Sequence, residues 1–118
     1  TEPSEWQGSP LAHEFVAKFF GGVTYDENPQ LYRDLSPITH VSSNDAGKWL
    51  FTRSTNDPLV PRTQMTKMIE ALKALGLQTE FYEYKGTGSG HANKLGPLQG
   101  AKLLQKRFNF MTGCLNDL

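Results

Sequence analysis

The chain has 118 residues, within the range of one domain. Twelve basic and twelve acidic side chains cancel, which removes any electrostatic ground for nucleic acid or an anionic membrane as partner. A single cysteine, Cys114, excludes an internal disulfide framework and a cysteine-based zinc site, and three scattered histidines form no metal motif.

No apolar run approaches the roughly 20 residues of a membrane span. The first ten residues, TEPSEWQGSP, lack the basic start and apolar stretch of a signal peptide. A soluble protein is therefore expected, its compartment left open. Seven Phe, four Tyr and two Trp supply material for a core. The pattern divides the chain into a helical and loop segment, residues 1–47, and a regular β-α-β-α unit, residues 48–118.

In the first segment, LAHEFVAKFFGG reads as a short amphipathic helix. Leu11, Phe15, Phe19 and Phe20 fall on or near one face, and Gly21 and Gly22 stop it. The stretch from Val23 to Gly47 is broken by Pro29 and Pro37, with one helical turn expected around Gln30 to Leu35. Tyr25, Leu31, Tyr32, Leu35 and Ile38 are its apolar anchors. His13 reads as a surface residue and His40 as a structural one.

From Lys48 the order is strand, helix, strand, helix. KWLFTRS forms the first strand. Pro61 suits the first position of the helix that follows. Met65, Met68, Ile69, Leu72 and Leu75 recur at steps of three and four along one face, and Gly76 ends it. LQTEFYEYK is the second strand and GTGSGH the loop after it. That loop lacks the spacing of a phosphate-binding motif. The last helix is expected over about Leu98 to Met111, with Leu104, Phe108 and Met111 on one side and Lys102, Lys106 and Arg107 toward water or the rim.

A helix-sized connection between the two strands implies a parallel pair. Both strands then end at the same edge of the sheet, where sites form in open α/β sheets. The two loops beyond that edge carry Asp57 and His91. A carboxylate bonded to one imidazole nitrogen fixes the ring tautomer and stabilises the imidazolium, so such a pair activates a hydroxyl nucleophile. On spacing alone a structural Asp–His hydrogen bond, or two unrelated loop residues, stand as open alternatives.

The stretches DLSPITHVSS, WLFTRSTNDPLVPRTQMTKMIEALKALG and TEFYEYKGTGSGHA, taken in order, resemble the C-terminal third of an α/β-hydrolase. The closest likeness is to the esterase, lipase and prolyl-oligopeptidase-like branch. That branch runs Ser-Pro, a strand, Asp-x-x-Val-Pro, a helix, a strand and a Gly-x-x-His or Gly-x-His turn. The resemblance covers about Leu35 to the C-terminus and implies a partial α/β-hydrolase fold. It makes Asp57 the acid and His91 the base of a Ser-His-Asp triad, and it implies no cofactor or metal.

The sequence departs from the pattern in three places. Arg53 and Ser54 stand where a His-Gly pair commonly precedes the acid. The glycine-rich loop before His91 is slightly long. No Gly-x-Ser-x-Gly occurs; Ser89 is flanked at the decisive positions by Thr87 and His91. Since the triad order in this fold is Ser, acid, His, the nucleophile is expected ahead of Thr1.

Three functions are therefore weighed. The first is the C-terminal part of a carboxylic-ester hydrolase that acts on a small ester when complete, with short peptides as a neighbouring substrate class. The second is a non-catalytic α/β module that binds a partner. The third and weakest is a nucleotide-binding α/β domain. Two strands alone leave apolar surface open, so a homo-oligomer or a companion chain carrying the nucleophile half is expected.

Overall fold

The computed structural model of the chain describes residues 10–86 and 95–118. Helix α1, Pro10–Phe19, opens it. The chain then reverses through Gly21 and Gly22, whose φ angles of 70° and 87° are left-handed. The Gly22 amide bonds back to the Ala17 carbonyl at 2.8 Å, an oxygen that also accepts from the Phe20 amide at 3.1 Å, and so closes the last helical turn. Helix α2, Pro29–Asp34, is the expected helical turn. Its cap is Asn28, whose side chain accepts from the Leu31 amide at 3.1 Å. A 3-10 turn, Pro37–His40, follows.

Tyr32 anchors this first segment. It is buried, its hydroxyl donates to the Val23 carbonyl at 2.8 Å, and its ring meets Phe20 and Tyr25 edge-on. Between α1 and α2 lies an open apolar cleft of about 180 Å³, lined among others by Phe15, Phe19, Phe20, Tyr32 and Leu35. Phe15 and Phe19, expected on an inward face, are 65% and 76% exposed. Among the α1 residues whose burial is described, the small Ala12 is the buried one.

Strand β1, Lys48–Ser54, and strand β2, Gln78–Tyr84, pair in parallel, with Lys48 opposite Gln78 and Ser54 opposite Tyr84. Helix α3, Arg62–Ala74, connects them. Pro61 stands one residue ahead of α3: its ring holds φ at −58°, but ψ is 145°, so the residue stays extended. The helix ends at Gly76, where φ is 78°, and the Leu77 amide returns to the Leu72 carbonyl. Mixed helix and parallel strand in this order is the β-α-β-α arrangement that the sequence led one to expect, consistent with part of an α/β-hydrolase fold.

Alternation along the strands assigns each helix a face. Trp49, Phe51, Arg53, Thr79, Phe81 and Glu83 point to the α3 side, where the Arg62 guanidinium lies 5.4 Å from the Phe81 ring centre. Residues of the other face meet helix α4, Pro97–Asn116, through Lys106 to Glu80, Arg107 to Thr52 and Lys48 to Asp117. Leu72 on α3 is fully buried and Leu103 on α4 nearly so. Burying each stabilises the fold by about 1.5–3 kcal/mol.

Helix α4 departs from expectation in length and in rotation. It runs five residues past Met111, through Gly113. Leu104, Phe108 and Met111 are more than half exposed, while Lys106 and Arg107 reach back to the strands. The helix is turned so that Leu103 faces inward and its apolar stripe faces out. Among the described residues no helix is long and apolar enough to cross a membrane.

Candidate active site

The loop that carries Asp57 begins where β1 stops. Thr55 extends the ladder by one step, its amide bonding to the Tyr84 carbonyl at 2.9 Å. Ser54, buried, folds the next residues back: its hydroxyl accepts from the Asn56 amide and its carbonyl from the Asp57 amide. Asp57 is half-buried. Its Oδ1 accepts from the Leu59 amide at 2.9 Å and the Val60 amide at 3.0 Å. A short polar side chain bonding two and three residues ahead is the ordinary device of an Asx turn. Here it also fixes the plane of the carboxylate at the C-terminal edge of the sheet. The Val-Pro pair thus has a local reason: Val60 supplies the second donor, and Pro61 delivers an extended residue into α3.

A side-chain bridge crosses the base of this loop. Arg53 and Glu83 are direct register partners on β1 and β2. Glu83 Oε1 accepts from Arg53 Nη1 at 3.3 Å and from Arg62 Nε at 3.0 Å. One carboxylate oxygen therefore joins the end of β1, the end of β2 and the start of α3. In the sequence Arg53 stands out as a departure from the family pattern, whereas no motif marks Glu83 or Arg62. The signal was opposite charge at matching strand positions, visible only once the register is known.

β2 ends at Tyr84, beside the Asp57 loop, and leads to the segment that carries His91. His91 itself, like Ser89, lies outside the described residues. The other histidines are placed as expected. His13 is exposed on α1, and His40 in the 3-10 turn donates Nε2 to the Asp34 carbonyl. Cys114 is half-buried on α4.

The model of the prolyl oligopeptidase family matches residues 4–118. The chain belongs to that family. Over 78 residues this prolyl oligopeptidase family chain is also 31% identical to a protein named Esterase LipC from Mycobacterium tuberculosis. The aligned stretch is 65% of this chain and 19% of that relative, so the chain spans about a fifth of the relative's length. No solved structure matches it. Family and relative together place the chain in the α/β-hydrolase class.

Proposed function

We propose that the chain supplies the acid and the base of a Ser-His-Asp triad, Asp57 and His91, to a carboxylic-ester hydrolase whose serine lies on polypeptide outside these 118 residues. The observation that carries this is the Asp57 carboxylate, held by two backbone amides at the edge where β1 and β2 both end. The esterase name of the relative favours ester over peptide as substrate.

In the complete site His91 takes the serine hydroxyl proton as the serine oxygen attacks the ester carbonyl. The tetrahedral adduct collapses, the C–O bond to the alcohol breaks, and the imidazolium gives its proton to the departing alkoxide. Water then attacks the acyl-serine, with His91 taking and returning one proton. Asp57 holds the imidazole tautomer and stabilises its cationic form. No cofactor enters these steps.

The same reading supplies an occupant for the outward stripe of α4. Leu104, Phe108, Met111 and Leu115 recur at helical spacing and are 56–66% exposed. The chain spans only a fifth of its esterase relative, and the rest of the hydrolase is the polypeptide that covers this stripe.

The test is turnover of p-nitrophenyl acetate by the complete protein. Asp57→Asn is expected to lower kcat by about 10⁴-fold, and His91→Ala by at least as much. Full turnover in either variant rejects the role given to that residue. Faster cleavage of a proline-containing peptide anilide than of the ester would keep the triad and replace the substrate class.

A further inference from the structure

We propose that Glu83 is a positioning residue for catalysis, acting through the Asp57 loop that it anchors to the end of β2. The inference rests on the triad assignment of Asp57 and His91 above. The amides of Leu59 and Val60 orient the Asp57 carboxylate within its own turn. They do not set where that turn sits against the sheet edge. At the β1 end the Thr55 amide on the Tyr84 carbonyl contributes, and Glu83 adds a tie at both ends: its Oε1 holds Arg53, one residue before the end of β1, and Arg62, the first residue of α3. These two anchors bracket the acid loop. Glu83 also lies one residue before the end of β2, the strand that feeds the His91 segment. Together with the Thr55 amide on the Tyr84 carbonyl, this carboxylate therefore ties both ends of the acid loop to the strand that leads to the triad base.

The surroundings make the tie selective. The Arg53 side chain is 14% exposed and that of Glu83 28%, so water screens their attraction only in part. Arg62 is 55% exposed, but its guanidinium is also seated over Phe81, which limits where it can go. Removing the Glu83 carboxylate leaves two guanidinium groups facing each other with no counter-charge from that residue. The acid loop then shifts relative to β2, and misplacement of about 1 Å costs a triad up to ~100-fold in rate.

The experiment is a double-mutant cycle in the complete hydrolase with p-nitrophenyl acetate. Glu83→Ala is expected to lower kcat roughly ten- to a hundredfold with KM nearly unchanged. In an Asp57→Asn background the same change should have almost no further effect, because the acid it positions is already disabled. Glu83→Gln, which keeps an acceptor oxygen, should recover part of the loss. Full additivity of the Glu83 and Asp57 effects, or a lowered melting point with kcat per folded molecule intact, would overturn the positioning role. Should Glu83→Ala fail to fold, Arg62→Met carries the test. It keeps an apolar stem over Phe81 and removes the donor, so a several-fold kcat loss supports the inference and an unchanged kcat overturns it. A crippled Asp57→Asn beside unaffected Glu83 and Arg62 variants rejects only this inference. An active Asp57→Asn rejects the triad assignment and this inference with it.

Discussion

At the scale of single residues, stability rests on few side chains. Leu72 has no exposed surface, and Leu72→Ala should cost about 2–5 kcal/mol, read as a lower denaturant midpoint. Tyr32 combines packing with a hydrogen bond. Tyr32→Phe leaves the Val23 carbonyl without its donor and should cost about 1 kcal/mol by the same measurement. Burial, with help from the nearby Glu27 carboxylate, pushes the Tyr32 phenol up from its ordinary value. A raised pKa in the fold means that the neutral phenol is the form the fold favours. That contribution is complete below the unfolded tyrosine value, about 10, and is lost as pH rises through the raised one. Tyrosinate absorbance followed together with circular dichroism should show the first segment loosening in that window, and Tyr32→Phe should blunt the step. Asp57 was legible in the sequence as the single acid between a strand and a Val-Pro helix start. Its bond to Val60 explains that spacing after the fact. Glu83 was not legible, because its partner Arg53 is 30 positions away and only the parallel register brings the two together.

At the scale of elements, both strands and the four α-helices of the described residues were legible, because short runs of strand formers and amphipathic repeats were separated by Gly and Pro. Rotation was not. The repeat Leu104, Phe108, Met111 identifies an apolar stripe on α4 but does not name its partner. The strands were instead met by Leu103 and by Lys106 and Arg107, whose charged ends have Glu80 and Thr52 to meet. The C-terminal end of α4 was missed for a related reason. The expected helix stops at Met111, two residues short of Gly113, yet a glycine within a helix costs only about 1 kcal/mol against alanine, and the helix continues through it. A Cβ placed on Gly113 would meet nothing within 4 Å. Gly113→Ala should therefore stabilise the chain by about 0.5–1 kcal/mol, seen as a higher melting point. The place of Asp57 at the sheet edge is independent of these differences, since it follows from the strand ends and not from helix rotation.

At the scale of the whole molecule, the described fold is a thin layer, 46 × 38 × 20 Å, with a parallel pair at its centre. If the rest of the hydrolase covers α4, Phe108→Ser with Met111→Ser should leave the stability of the 118-residue chain nearly unchanged and reduce its light scattering. The same pair of changes should lower the melting point of the complete protein. Equal effects in both settings would reject that packing. The register also has a consequence for the backbone. The bonds from Thr55 to Tyr84 and from Gln78 to Gly47 show that odd-numbered residues of β1 meet even-numbered residues of β2. In a parallel pair the intervening residues turn both N–H and C=O the other way. Each strand is thus a comb with one set of teeth engaged. The amides of Leu50 and Thr52 report on one outer edge of the pair, and those of Thr79, Phe81 and Glu83 on the other. Deuterium uptake at these five positions, compared between the 118-residue chain and the complete protein, will show from which side the sheet is extended: the row that slows is the row that gained a neighbour.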